Sequence, residues 1–192
     1  MEFKIYFPFK PFVASQKWGV ANPIYSQQFN DPNFKYHNGV DCVPGQGYRT
    51  WPVYCPVEGF RVLRVDYAPQ GGGNEIWLIS KEKYQMGDKQ CYALMALCHA
   101  DKVLVQAGDE PELGELLMVA DSTGFSTHSH VHMGLYRVDY NGTWFTKLDT
   151  NGATGSCDAA PYFAFEYAVD RATLATLIKS NWRYYMYVLG LR

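Results

Sequence analysis

The chain has 192 residues, of which 47% are hydrophobic and 19% charged, enough apolar material for one well-buried domain and too much for a disordered tail. Seventeen Lys and Arg against nineteen Asp and Glu give a formal net charge of -2, so there is no basic excess to neutralise phosphates or anionic lipid, and no nucleic-acid partner is expected. Nothing approaches the roughly 20 apolar residues of a spanning helix, so no membrane span is expected either.

Residues 1–10 alternate in polarity like a strand and lack the apolar core and small-residue cleavage site of a secretory signal. The expectation is a chain that stays where it is made or leaves by another route. Residues 53–65 read as two strands joined at Glu58-Gly59, and 75–80, 92–98, 103–107, 115–119 and 131–138 are further strand candidates. Asn141-Gly142 is a hairpin signal, while 70–74 and 81–89 read as exposed turns with nothing to bury. From 161 to 178, Phe165, Val169, Ala172, Leu174, Leu177 and Ile178 recur at helical spacing, and residues 182–189 suit a last strand. The predicted fold is mainly β, an antiparallel sandwich or partly closed barrel with a C-terminal helix. With no repeat or linker, residues 1–192 read as a single domain with its core at about 29–140 and an extension at 141–192. Cys42, Cys55, Cys91, Cys98 and Cys157 form no Cys-x-x-Cys pair and read as reduced, mostly buried thiols.

The five histidines fall in three short segments. His37 and Asp41 flank Asn38-Gly39-Val40, an imidazole and a carboxylate four residues apart around a glycine that lets the backbone turn; both are zinc ligands, and both are also common in surface turns. His128, His130 and His132 alternate with Ser129 and Val131, so in a strand all three project from one face. Protonated imidazoles in a row repel one another, which makes a metal or catalytic role the better reading than a solvated face. His99, after the apolar run ending at Cys98, reads by itself as a strand-end residue.

These segments occur in a recognisable order. His37-Asn38-Gly39-Val40-Asp41, then Trp51 to Gly59, then His99 with Gly108-Asp109 and Leu113-Gly114, then Asp121-Ser122-Thr123-Gly124-Phe125-Ser126-Thr127 leading to His130-Val131-His132, resembles the lysostaphin/LytM-type zinc metalloendopeptidases. The match runs over roughly residues 29–135. It implies Zn²⁺ held by His37, Asp41 and His132, with His99 and His130 as catalytic histidines, in a groove on an antiparallel β fold. Three protein ligands with an open fourth position suit a metal-activated water that attacks without a covalent intermediate. One histidine would take the proton of that water and the other would stabilise the oxyanion; their order stays open. Cys98 is not expected to be a nucleophile, because neighbours along a strand face opposite sides. The sequence departs from the family at His128, Met118 and Asp121, which stand at positions commonly Gly, and at Gly134, where an acidic residue is common. His128 is then either an additional substrate contact or a surplus exposed side chain.

The resemblance further implies a peptidoglycan peptide as substrate, cleaved within cross-links of the bacterial cell wall. With no signal, wall-binding repeat or propeptide, the expected protein is a bare, monomeric catalytic domain, a phage-encoded lysin or a virion-associated wall hydrolase. Two other readings are an inactive peptidoglycan-binding or regulatory module, which predicts lost ligands, and a phosphohistidine carrier domain, which predicts no zinc. The complete Asp and His set argues against both.

Overall fold

The computed structural model describes residues 2–45 and 47–168. In chain order these form β1 (Ile5–Phe7), β2 (Val13–Gln16), a short helix α1 (Ile24–Gln28), β3 (Val40–Val43), β4 (Trp51–Tyr54), β5 (Phe60–Ala68), β6 (Gly73–Ser80), β7 (Tyr84–Met86), β8 (Lys89–Val103), β9 (Leu116–Ala120), β10 (Val131–Tyr140), β11 (Phe145–Lys147), a 3-10 turn over Ala160–Tyr162, and β12 (Phe163–Tyr167). The main sheet has the order β2-β3-β10-β8-β6-β5 and its pairings are antiparallel. The fold is therefore mainly antiparallel β, as the alternation of its strands predicts.

Strand β10 shows how this sequence places the two faces. Val131, Met133 and Leu135 are fully buried and join Val40, Met95, Leu97, Ile76 and Leu78 in the principal core. Burying each such side chain contributes about 1.5 to 3 kcal/mol. The intervening His132, Gly134 and Tyr136 take the opposite face, as the period of two requires, and there Tyr136 and Val138 pack with Ile79, Leu94, Ala96 and Cys98. Strand β8 serves both halves of the molecule. It pairs with β10 up to Cys98 and with β6 up to Ala100, and from Ala100 onward it pairs with β9, which in turn carries β4. The change of direction falls at His99, whose φ of 69° is left-handed and unusual for a residue with a side chain.

Several local expectations are corrected. Residues 81–89 are more than a turn: β7 forms a hairpin with β8, and Met86 is fully buried. Gly73 and Asn74 open β6 rather than lying in a loop. Of 103–107, only Val103 is in a strand. The helix expected over 161–178 is not formed in its first part, which is the 3-10 turn followed by β12; the remainder, and the expected strand at 182–189, lie outside the described residues. Phe163, Phe165 and Tyr167 also alternate with period two, and all three rings contact Phe7 across the parallel β1–β12 pair, so the strand pattern overrides the helical one. The five cysteines are free thiols, four buried and Cys157 partly so. Trp51, which flanks the histidine segments in sequence, is a core residue packed on Phe9.

Candidate metal centre

Three of the predicted residues converge because two strands meet there in register. Strand β10 pairs with β3 so that His132 lies opposite Asp41. His37 precedes β3 and is fixed by the exchange of backbone hydrogen bonds between its N–H and Val20 and between its carbonyl and Gly19. His37 Nε2, Asp41 Oδ1 and His132 Nδ1 are 3.0, 2.9 and 3.1 Å apart as pairs. Gly39 makes this approach feasible: a Cβ there would stand 2.7 Å from Cε1 and Nε2 of His132.

The protonation pattern of this trio asks for a cation. His37 Nδ1 lies 2.9 Å from the Lys17 carbonyl, which can only accept, so the ring donates through Nδ1 and turns the lone pair of Nε2 inward. That lone pair sits beside the Asp41 carboxylate, two acceptors facing each other, with only the His132 N–H to share between them. Tetrahedral zinc with bonds of about 2.0 to 2.2 Å separates its ligand atoms by about 3.3 Å, close to the spacings found, so the donor set fits such an ion. Burial pushes the Asp41 carboxyl up, but the imidazoles packed against it, His132 first and then His37 and His130, outweigh burial and hold the group well below the usual carboxylate range. Burial lowers His132 against the pull of Asp41, which keeps the imidazole neutral and able to ligate.

His99 and His130 stand beside this trio, their rings 4.5 Å apart and His99 6.1 Å from His132. His99 donates through Nδ1 to the Thr123 carbonyl at 2.7 Å. Burial, followed by the charge of His130, lowers His99 to about 4. His130 donates through Nδ1 to the His128 carbonyl at 2.8 Å, and its Nε2 is 3.5 Å from Asp41 Oδ1. In both rings one nitrogen is tied to backbone and the other is left for chemistry.

All five predicted site residues are therefore brought together, whereas His128 is not. Strand β10 begins only at Val131, so the one-face alternation does not extend back to residue 128, and His128 is exposed with Nδ1 on Thr127 Oγ1. The orienting groups escaped sequence reasoning. The Lys17, Thr123 and His128 acceptors are backbone carbonyls, which carry no sequence signal. Ser126 could have been noticed, since the Ser122-Thr123-Gly124-Phe125-Ser126 run contains it: its Oγ donates to the His128 carbonyl and lies 3.3 Å from His130 Nδ1. Cys98 is buried with its thiol pushed up by that burial and by Glu75, the wrong setting for a nucleophile.

No family model matches the chain. Among curated proteins it is similar to the glycyl-glycine endopeptidase ALE-1 of Staphylococcus capitis, 31% identical over 96 residues that cover 50% of this chain and 23% of that protein. The chain thus spans under a quarter of the length of that relative. Among solved structures it is similar to the catalytic domain of the antimicrobial peptidase lysostaphin from Staphylococcus simulans, with a TM-score of 0.56 and 20% identity over 79% of this chain and 91% of that one. A zinc-containing peptidase from Vibrio cholerae shares the fold at a TM-score of 0.53 and 20% identity, over 70% of this chain and 36% of that one. The fold is that of the lysostaphin-type catalytic domains. The curated similarity and the shared fold both fall within the group that the ordered motifs resemble.

Proposed function

We propose that the protein is a zinc-dependent endopeptidase that hydrolyses peptide cross-links of bacterial peptidoglycan. The observation that carries this reading is the convergence of His37 Nε2, Asp41 Oδ1 and His132 Nδ1 with two further imidazoles, His99 and His130, alongside. His37, Asp41 and His132 would hold the metal. Bound there, zinc supplies Lewis acidity and lowers the pKa of a coordinated water toward neutrality.

The chain's own residues supply the rest. The carbonyls of Lys17, Thr123 and His128 fix three ring orientations, so the imidazoles need little reorganisation during reaction. His99 is neutral at physiological pH, and in the Nδ1–H tautomer its Nε2 is free to accept a proton; His130 presents its Nε2 next to Asp41. One of this pair removes the proton from the attacking water and the other donates to the oxyanion and leaving amine, without covalent attachment to the protein. Residues 1–192 are read as one catalytic domain, a reading supported by the β1–β12 pair, which ties the first strand to the last described one, and we propose that it acts as a monomer. Among the described residues no helix is long and apolar enough to cross a membrane. The setting we propose is a phage-encoded or virion-associated lysin acting at the cell wall.

The test is digestion of purified cross-linked peptidoglycan by the zinc-loaded protein, with mass spectrometry of the released fragments. New free amino termini within the cross-links are expected. An absence of cleavage by fully loaded protein would contradict the proposal.

A further inference from the structure

Glu75 is a buried carboxylate for which the described residues provide no cation. It is 8% exposed. Oε1 accepts from Trp77 Nε1 at 3.0 Å, and Oε2 has only the weak Cys98 thiol donor at 3.6 Å. A carboxylate has about four acceptor positions, so its capacity is half used. Of the cations on the adjacent strand β5, Arg64 is engaged by Asp66 at 2.8 Å and lies over the Trp77 ring, and Arg61 is engaged by the Tyr140 hydroxyl. Lys147 is held by the Thr154 carbonyl and the Tyr136 ring. A buried carboxyl oxygen ordinarily has a strong donor, and among the described residues Oε2 has only the thiol.

Its position relates it to the metal centre. In β6, Ile76 and Leu78 enter the principal core, so Glu75 and Trp77 take the other face, the one that carries His132. Cys98 of β8 lies directly opposite His132 of β10 and also contacts Glu75. His132, Cys98 and Glu75 thus form a row across three adjacent strands, with Glu75 about 10 Å from His132 at two strand spacings. Gly72 walls one side of the carboxylate with bare backbone: a Cβ there would overlap Glu75 Oε2 and fall 2.8 Å from Cys98 Sγ. The same wall is tied to the site, because the Gly72 carbonyl accepts from the His99 N–H at 2.7 Å.

We propose that Glu75 is a specificity-determining residue whose carboxylate receives an ammonium group of the peptide substrate, either an amino-bearing side chain or a free N-terminus. A 10 Å offset corresponds to about three extended residues, or fewer when a long side chain spans part of it. The inference rests on the peptidase reading above and adds to it a substrate charge.

The experiment compares kcat/KM of the zinc-loaded wild type and Glu75→Gln on paired peptides that differ only in whether the amine is free or acetylated. Glu75→Gln keeps the acceptor for Trp77 and removes the charge. The expected result is a fall of at least 10-fold on the free-amine peptides and less than a twofold change on the acetylated ones. Equal effects on both, or none, overturn the ammonium subsite while leaving the peptidase reading intact. If the wild type cleaves neither, the peptidase reading itself fails and the subsite with it. Inhibition of the wild type by pentylamine and by pentanol gives a check independent of the variant's folding: competitive inhibition by the amine alone is expected, and equal potency overturns the subsite.

Discussion

Replacing Gly39 by alanine tests whether close approach of the backbone just before β3 to His132 builds the centre. Gly39 has no left-handed φ, so the change carries no backbone penalty and acts through space alone. The new Cβ would lie 2.5 Å from the Met133 carbonyl oxygen and 2.7 Å from Cε1 and Nε2 of His132. Comfortable contact begins near 3.5 Å, so the ring and the β3–β10 ladder must part by about 0.8 to 1 Å. Metal–ligand distances tolerate only about 0.2 Å. Overpacking of this kind costs about 1 to 3 kcal/mol of stability, and a disturbed ligand orientation weakens metal binding about 10- to 100-fold. Zinc titration against a competing chelator and thermal unfolding of the metal-free protein read the two effects. Gly71→Ala is the control, since its Cβ would meet nothing closer than Ala68 Cβ at 3.4 Å and should leave both unchanged. Wild-type zinc affinity and stability in Gly39→Ala would refute the steric argument.

His132→Ala should abolish zinc binding, whereas His130→Ala should retain about one zinc per chain and lose hydrolysis; elemental analysis beside an activity assay separates them, and equal metal loss in both would show the ligand assignment to be wrong. The neutral burial of His99 predicts an acid-labile apoprotein. Its folded-state value of about 4 lies below the ordinary value of about 6.5, so the unfolded chain binds the proton first and stability, complete above pH 6.5, is lost as pH falls toward 4. That difference is worth about 3 kcal/mol, which corresponds to about 6 to 12 °C in Tm for a chain of this size. His99→Gln should flatten the Tm profile in this window, and an unchanged profile would assign the acid sensitivity to other groups.

The parts of the site that were legible in sequence are those in which spacing equals geometry. His130 and His132 are two residues apart across a strand start, and His37 and Asp41 bracket a turn that leads directly into β3. His99 was not legible from its own neighbourhood, because its place depends on a left-handed residue in the middle of a 15-residue strand and on a carbonyl 24 residues away. His128 was misplaced because alternation was extended through a segment that is loop up to His130. The first part of the predicted C-terminal helix, up to Tyr167, was misread for a related reason: Phe163, Phe165 and Tyr167 satisfy period two, and the partner that selects it, Phe7, lies at the other end of the chain. Glu75 did leave a signal, a carboxylate in phase with Trp77 and Ile79 in an otherwise apolar strand, but its meaning required the position of His132 two strands away.

The central claim is that metal held by His37, Asp41 and His132 makes this chain a peptidase. The most direct measurement is turnover of cross-linked peptidoglycan by untagged protein that is stripped of metal and then titrated with zinc. The account predicts no turnover without metal and full activity at one zinc per chain. Turnover that is indifferent to zinc, or its absence at full occupancy, would contradict it.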